Sequence, residues 1–129
     1  MNFAILVNSP PFAKQGSYSA YEFCKAALSK GHPVKKIFFY QDGIYNANSL
    51  ICMPQDEIDV SQLWQDLAQK HSIELIICVA AAQRRGVIDA TEAKNYDKTS
   101  TNLAKHFRVA GLGELIEAST TYDRFITFN

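Results

Sequence analysis

The sequence has few of the features that define disulfide-bonded, strongly charged or membrane-spanning proteins. Its three cysteines are an odd number with no CxxC spacing, which argues against a disulfide framework or a cysteine-rich zinc site. Lysine and arginine together number 13, as do aspartate and glutamate, so no net charge attracts nucleic acid, and direct nucleic-acid binding is not expected. The longest apolar run, residues 75–82, is far too short to cross a bilayer.

Common targeting and catalytic motifs are missing as well. Residues 1–8 contain no basic leader, and their apolar run is too short for a signal peptide, so we expect a cytoplasmic protein with reduced thiols. The chain contains no GxSxG elbow and no Walker A loop. Its histidines, His32, His71 and His106, do not have the spacing of metal ligands, and no metal or organic cofactor is predicted.

Short apolar runs alternate with amphipathic stretches along the whole chain. Runs rich in β-branched and aromatic residues predict five strands, at residues 3–7, 34–40, 73–79, 107–110 and 124–128. Helices are predicted to begin at a capping box formed by Ser19 and Glu22, after Asp59, at Asp89 and at Leu112. Residues 41–56 are polar and turn-prone, and an irregular segment is expected there.

Strictly alternating strands and helices are typical of an α/β fold. We therefore predict a single domain over residues 1–129, a three-layer sandwich with a mainly parallel five-stranded sheet. In open parallel sheets, sites form beyond the carboxyl ends of the strands, near the point where the strand order reverses. The segments expected to meet there are residues 8–11, 40–43, 78–80 and 110–113.

Cys78 is the only strong nucleophile in these four segments. A free thiol is only a few per cent thiolate at neutral pH, and nearby cations or the N–H groups of a helix start favour the thiolate. A helical turn after Cys78 would supply such N–H groups, and Arg84 or Arg85 would supply positive charge. A cysteine in an apolar strand is also a common packing residue, so from these features alone both interpretations of Cys78 stay open.

The other two cysteines are weaker candidates for chemistry. Cys24 lies on the apolar face of the first predicted helix, so it is interpreted as a core residue. Cys52 lies in the irregular segment, where a second exposed thiol is an alternative to simple loop packing. Gly111 and Gly113 supply only part of a dinucleotide fingerprint, and they are interpreted as a tight strand-to-helix turn.

Three motifs, in this order, resemble the DsrE/DsrF family, in particular its TusD-type sulfurtransferase subunits. They are FFYQDGIYNAN at residues 38–48, ICVAAAQRRGVID at residues 77–89 and GLGELIEAS at residues 111–119. The resemblance extends over essentially the whole chain. It implies that Cys78 is the cysteine that carries sulfane sulfur as a persulfide.

The resemblance also implies partners and a pathway. A TusA-like donor would supply the sulfur and a TusE-like acceptor would receive it. TusB-like and TusC-like subunits would complete a heterohexamer. The sulfur would end in the 2-thio group of wobble uridine in tRNA. A DsrE-like role in sulfur oxidation is an alternative with the same cysteine.

Two further alternatives come from other functional classes. The chain could be a structural subunit with an inert Cys78, or a flavodoxin-like binder of a small molecule at the strand ends. Transfer between proteins requires access to the thiol, so we expect a surface cleft at Cys78 with residues 40–48 as one wall, and residues 8–11 and 111–113 as candidates for the others. The apolar and aromatic residues of the stretch 38–45 are a candidate subunit interface, with plain core packing as the alternative: Phe38, Phe39, Tyr40, Ile44 and Tyr45. Phe38 and Phe39 are adjacent in a strand, so they are expected to point to opposite faces.

Overall fold

The computed structural model describes all 129 residues and contains one sheet with helices on both faces. The strands are β1 (Phe3–Val7), β2 (Val34–Phe39), β3 (Glu74–Cys78), β4 (Phe107–Ala110) and β5 (Arg124–Phe128). The α-helices are α1 (Gly16–Ser29), α2 (Val60–His71), α3 (Val79–Arg84), α4 (Ala90–Asn95) and α5 (Leu112–Thr121), and a 3₁₀ helix covers Gln41–Ala47. None of the helices combines the length and the apolar character needed to traverse a bilayer.

The strand order is β4-β3-β2-β1-β5, and every neighbouring pair is parallel. The prediction of an α/β fold with a mainly parallel five-stranded sheet is therefore confirmed, and the sheet is entirely parallel. All five carboxyl ends consequently lie along one edge. The strand order reverses at β1, because β2 to β4 are added on one side of it and β5 on the other. Cys78, at the end of β3, thus lies away from the reversal.

The two faces of the sheet carry cores of very different size. The larger core holds 23 buried residues, among them Ile5, Phe39, Ile77 and Trp64. The smaller core holds only Ala4, Phe38, Ile76 and Ala118, of which Ala118 belongs to α5. Successive side chains of a strand point to opposite faces, and this separates Phe38 from Phe39 as expected. The second face is therefore covered thinly, by α5 alone.

Three of the four predicted helix starts are confirmed, those after Asp59, at Asp89 and at Leu112, and the one at Ser19 is wrong. Asp59 and Asp89 are N-caps whose carboxylates accept hydrogen bonds from the backbone N–H groups of Gln62 at 3.1 Å and Glu92 at 2.8 Å. The capping box at Ser19 does not form, because α1 already begins at Gly16 and makes no side-chain cap. Gly16 packs so closely on the C-terminal residue that the helix start is fixed there by tertiary packing.

The segment predicted to be irregular is partly ordered into a helix. Its first seven residues, Gln41–Ala47, form the 3₁₀ helix, and residues 51–54 have no regular structure. The 3₁₀ helix is held by burial, since four of its residues have almost no contact with solvent: Gly43, Ile44, Asn46 and Ala47. The apolar periodicity of the sequence does not indicate this 3₁₀ helix, because its buried positions include a glycine and an asparagine.

A cluster of charged residues joins α5 to the sheet. The Arg108 guanidinium hydrogen-bonds the carboxylates of Glu74 and Glu114, and the Lys36 ammonium lies 2.9 Å from the Glu114 carboxylate. These hydrogen bonds, from Arg108 first and Lys36 second, lower the pKa of Glu114 from 4.5 to about 2. The cluster therefore stabilises the contact of α5 with the sheet only while Glu114 is ionised.

We expect this cluster to contribute to acid sensitivity. Because the pKa of Glu114 is lower in the folded chain, the unfolded chain binds more protons as pH falls from about 4.5 to about 2. The Glu114 contribution to the free energy of unfolding is thus complete above this window and is lost within it. Glu114→Gln should lower stability at neutral pH and flatten its decrease below pH 4.5, as measured by urea denaturation at several pH values. An unchanged pH dependence in the variant would contradict this assignment.

Candidate active site at the end of the third strand

Cys78 is the last residue of β3 and the N-cap of α3. Its side chain is half-buried, and it makes no capping hydrogen bond to the helix. The helical turn expected after Cys78 is therefore present and begins at Val79. N–H groups in the first turn of a helix lack intrahelical partners, so the sulfur lies where donors are available to a negative charge.

A narrow crevice lies beside Cys78. It runs between the ends of β2, β3 and β4, and residues along its rim include Tyr40, Gly111 and Leu112. Its volume is about 10 Å³, roughly the minimum needed for one water molecule. The surface cleft expected at Cys78 is thus a narrow crevice, and it has no space for a small-molecule ligand such as a flavin.

The larger cavities lie elsewhere. One of about 490 Å³ is formed by residues 83–102 together with Leu50, and another of about 440 Å³ lies between residues 48–65 and 103–105. Neither is lined by a cysteine. No three His, Cys, Asp or Glu side chains come together in an arrangement able to hold a metal ion.

Of the three expected walls of the site, two are only partly correct and one is absent. Tyr40 contributes from the second strand, but the residues after it, in the 3₁₀ helix, do not line the crevice. Gly111 and Leu112 contribute from the start of α5. Residues 8–11 follow β1, which is separated from β3 by β2, so they do not reach Cys78.

The aromatic stretch at residues 38–45 is mostly core. Phe38, Phe39 and Ile44 are buried within the chain itself, so the expectation that they form a subunit interface is wrong. Tyr40 and Tyr45 retain partial exposure.

Gly43 allows the 3₁₀ helix to pack directly on the end of β1. A Cβ atom at this position would overlap the Val7 carbonyl oxygen. The helix therefore needs glycine at this position because its backbone lies so close to β1. The φ angle of Gly43 is not positive, so the backbone conformation is not the reason. This contact fixes the chain immediately after Tyr40, on one side of the Cys78 crevice.

Asn46 is a buried hub that connects four parts of the chain. Its amide nitrogen donates to the carbonyl oxygens of Ser9 at 2.9 Å and Gly43 at 2.8 Å. Its amide oxygen accepts from the Ser17 hydroxyl at 2.7 Å, which in turn accepts from the Trp64 indole N–H at 2.9 Å. Asn46 has no exposed surface, so each hydrogen-bond partner that it lost would lower the stability of the fold by about 1–3 kcal/mol. This network therefore determines how α1 and α2 meet the strand ends.

A second link joins the two sequence motifs around the crevice. The Arg85 guanidinium lies 3.1 Å from the Asp42 carboxylate and also donates to the Ala81 carbonyl at 3.2 Å. Arg85 therefore ties α3 to the 3₁₀ helix, and neither Arg84 nor Arg85 hydrogen-bonds the sulfur of Cys78. Arg84 is exposed and makes no ion pair. Their expected role in stabilising the thiolate stays a prediction.

The segment after α3 is held by Asn102. The Asn102 side chain accepts from the Ile88 N–H at 2.8 Å and donates to the Gly86 carbonyl at 2.9 Å and to Asn48 at 3.2 Å. Asn48 follows the 3₁₀ helix, so the same two motifs are joined again. No periodic signal marks Asp42, Asn46 or Asn102, because each lies in or next to a polar segment of the chain, where its residue type does not set it apart.

The three thiols have distinct environments. Cys24 is completely buried in the larger core, and burial raises its pKa to about 12, which agrees with the interpretation of Cys24 as a core residue. Cys52 is exposed, which agrees with the alternative that it is a second exposed thiol. Its sulfur lies 3.6 Å from the Leu50 carbonyl oxygen. Only Cys78 lies at the carboxyl edge of the sheet.

Comparison with known families and proteins gives a consistent result. The model of the DsrE/DsrF-like family matches residues 1–128. The chain is 44% identical over 128 residues to an Allochromatium vinosum protein named "Putative sulfurtransferase DsrE". This alignment covers 99% of this chain and 98% of the relative. It is 47% identical over 126 residues to the "Sulfurtransferase TusD homolog" of Aliivibrio fischeri, covering 98% of this chain and 97% of that protein.

Solved structures share the fold at much lower identity. The crystal structure of the ychN protein from E. coli superposes with a TM-score of 0.77 at 14% identity, covering 99% of each chain. A protein of unknown function from Methanobacterium thermoautotrophicum, MTH1491, gives a TM-score of 0.68 at 11% identity, covering 98% of this chain and 97% of that one. These two likenesses concern the fold alone.

We expect Gly43→Ala to destabilise the chain, because the added methyl group must displace the Val7 carbonyl or the 3₁₀ helix. Overpacking of this kind costs roughly 1–3 kcal/mol. Urea denaturation should show this loss as a lower midpoint with an unchanged slope. Gly113→Ala is the matched control, since nothing lies within 4 Å of its added Cβ. Equal stability of the two variants would argue against the close contact.

We also expect the thiols of the native chain to react unequally with iodoacetamide. Cys52 and Cys78 should be alkylated, whereas Cys24, with its pKa raised to about 12, should react at least about a hundredfold more slowly. Mass spectrometry of the digested protein would give the three rates separately. The unfolded chain, in which all three cysteines should react alike, is the control. Rapid alkylation of native Cys24 would contradict the described burial.

Proposed function

Because the chain belongs to the DsrE/DsrF-like family, we propose that it is a sulfurtransferase that carries sulfane sulfur as a persulfide on Cys78. The observation that carries this proposal is the position of Cys78: a half-exposed thiol at the carboxyl edge of a parallel sheet, at a helix start. The names of the two relatives with 44% and 47% identity support sulfur transfer as the activity.

The chemistry follows thiol–disulfide exchange. The Cys78 thiolate attacks the outer sulfur of a donor persulfide, the donor's S–S bond breaks, and the donor leaves as a thiolate. In the second step an acceptor thiolate attacks the outer sulfur of the Cys78 persulfide, and the Cys78 thiolate leaves. One S–S bond forms and one breaks in each step, so the relay involves no net oxidation and needs no cofactor.

The environment of Cys78 suits both steps. The thiolate must form to attack the donor and must leave when the acceptor attacks, and the sulfur lies at the start of α3, where first-turn N–H groups lack intrahelical partners. Extreme stabilisation would weaken the nucleophile, because nucleophilicity falls as a thiol becomes more acidic. Arg84 is close in sequence and unpaired, so it is the better of the two arginine candidates for adding positive charge, whereas Arg85 is already paired with Asp42.

The size of the crevice supports protein partners over small molecules. About 10 Å³ of space cannot hold a ligand larger than water, which favours a donor that presents its sulfur at the surface of the chain. The partners we propose are a TusA-like donor and a TusE-like acceptor, with TusB-like and TusC-like subunits in a heterohexamer. All three cysteines are free thiols, in keeping with a cytoplasmic relay that ends in 2-thiolation of wobble uridine in tRNA.

A DsrE-like role in sulfur oxidation is the second candidate. It is favoured by the 44% identity to the Allochromatium vinosum protein, which is close to the 47% identity to the TusD homolog. Both roles use the same persulfide on Cys78 and differ in the proteins that donate and accept the sulfur. The two are separated by which acceptor takes up sulfur from the loaded chain.

The proposal predicts that the chain gains one sulfur atom, and that the gain depends on Cys78. Intact-mass spectrometry after incubation with a persulfidated TusA-like donor should show one added sulfur, removable by a reductant, on the wild-type chain and none on Cys78→Ser. Cys52→Ser is the matched control, since it removes the other exposed thiol, and it should load like wild type. Loading of Cys78→Ser equal to that of wild type would exclude Cys78 as the carrier.

A further inference from the structure

Two side chains at the end of α3 reach other elements of the fold. The Gln83 amide donates to the Glu92 carboxylate of α4 at 2.6 Å. The Arg85 guanidinium reaches in another direction, to Asp42 near the start of the 3₁₀ helix, with 3.1 Å between its Nε atom and the carboxylate oxygen. Of the two, only Arg85 connects α3 to the segment that follows β2.

The same guanidinium completes the end of α3. The Arg85 backbone N–H donates to the carbonyl of Ala82 at 3.1 Å, so it does not form the regular helical bond to the carbonyl of Ala81. The Arg85 side chain supplies that bond instead, from its Nη1 atom at 3.2 Å. A planar guanidinium has several donors in a fixed fork and can bind both acceptors, whereas a lysine ammonium is a compact single centre.

Asp42 is held in place by the backbone around it. The Tyr40 N–H donates to the Val7 carbonyl at 3.1 Å, and the Gly43 N–H donates to the Tyr40 carbonyl at 2.9 Å. Between them, Gln41 has a φ angle of 49°, in the left-handed region that non-glycine residues seldom adopt. Strain of this kind persists where the surrounding structure enforces it, and it clusters at functional sites. The chain thus keeps a strained residue immediately before this carboxylate.

The pair of Asp42 and Arg85 spans the crevice at the candidate thiol. Tyr40, two residues before Asp42, lines the crevice from the end of β2, and Cys78 lines it from the end of β3. The helix that begins at Cys78 has only six residues, too few to be stable in isolation, so its position depends on its contacts. The contact through Arg85 therefore helps to fix the sulfur relative to the Tyr40 wall.

Stability alone does not explain this pair. The Asp42 side chain is 62% exposed, and an ion pair at such exposure adds little to the free energy of unfolding, because water and salt screen it. The pair is better explained by the position that it gives to α3.

We propose that Asp42 and Arg85 are positioning residues for sulfur transfer at Cys78. This inference rests on the proposed function and adds two residues that act through α3, without a hydrogen bond to the sulfur. In the loading step the Cys78 thiolate bonds the outer sulfur of the donor persulfide, the donor's S–S bond breaks, and the donor leaves as a thiolate. The attacking sulfur must lie in line with the bond that breaks, so a small displacement of α3 slows this step even though the thiol stays accessible.

The test separates the position of the thiol from its accessibility. Loading of Cys78 by a persulfidated TusA-like donor is followed by intact-mass spectrometry over a range of donor concentrations. Alkylation of the same thiol by iodoacetamide is measured in parallel, by mass spectrometry of the digested protein. The variants are Asp42→Ala, which removes the carboxylate, and Arg85→Lys, which keeps the charge but not the fork.

Two matched controls lie outside this link. Asp56→Ala removes an exposed carboxylate in the loop before α2. Arg124→Lys changes an arginine that also donates to a backbone carbonyl, that of Asp123 at 2.9 Å. Arg124 belongs to β5, which β1 and β2 separate from β3. Both controls should load like wild type.

We expect Asp42→Ala and Arg85→Lys to lower the maximal rate of loading about tenfold or more, since a misplacement of about 1 Å can cost more than this. The donor concentration that gives half of the maximal rate should stay within about twofold, because the donor still meets the same surface. Alkylation should also stay within about twofold, since a small reagent can approach an accessible thiol from many directions. The midpoint of urea denaturation should change little.

Loading of Asp42→Ala at the wild-type rate would overturn the positioning role and leave Cys78 as the carrier. Loading of Arg85→Lys at that rate would also overturn it, because positive charge and not the fork would then be sufficient. An equal slowing of loading and alkylation would do the same, since the reactivity of the thiol itself would have changed. So would a large fall in the urea midpoint, since the pair would then support the whole fold. If the wild-type chain takes up no sulfur on Cys78, the proposed function itself fails, and this result is distinct from the others.

Discussion

The buried amide of Asn46 is the interaction on which the carboxyl edge of the sheet depends. It holds the segment after β1, the 3₁₀ helix and α1 together through three short hydrogen bonds. The Ser61 hydroxyl adds α2 by donating to the Asn46 carbonyl at 2.6 Å. Because a buried amide is costly unless it is fully bonded, only one arrangement of these four segments satisfies it. The 3₁₀ helix, in turn, carries Asp42, which holds Arg85 and so α3.

Cys78 lies at the point where this rigid frame meets solvent. The frame positions α3 from one side through Arg85, and α5 is tied to the sheet from the other side by Arg108 and Glu114. The sulfur is thus placed by two separate polar links, while its own contacts leave it half-exposed. A sulfur that must bond alternately to two partners needs a fixed position and an open approach. The proposed relay requires both.

The uneven cover of the sheet is consistent with this role. One face is buried under a core of 23 residues, whereas the other has four buried residues and a single helix. The helix on the thin side, α5, is also the one that borders the crevice and exposes Leu112 and Ile116. The large core therefore supplies most of the buried apolar surface, and the thin side leaves apolar side chains exposed to solvent.

Much of the fold could be predicted from the sequence, because it depends on local patterns. All five strands follow from runs of β-branched and aromatic residues, and the caps at Asp59 and Asp89 follow from one side chain and the residues after it. The start of α1 could not be predicted, since Gly16 is fixed by contact with the far end of the chain.

The candidate site was predictable only as far as its candidate nucleophile. Cys78 follows from its place at the end of an apolar strand, and α3 after it is as expected. The size of the crevice, the pairing of Arg85 with Asp42 and the hub at Asn46 depend on residues that are distant in sequence. None of these has a periodic signature, so they become visible only when the strands are brought side by side.

The most direct test of the central claim is to locate the transferred sulfur on the unmodified wild-type chain. Trypsin cleaves after lysine and arginine, so Cys24, Cys52 and Cys78 fall in three different peptides, 15–25, 37–70 and 71–84. After a single turnover with a ³⁵S-labelled donor persulfide, the account predicts label in peptide 71–84 and its disappearance when an acceptor is added. Label that enters peptide 37–70 and leaves from it would contradict the account, because the relay would then run through Cys52.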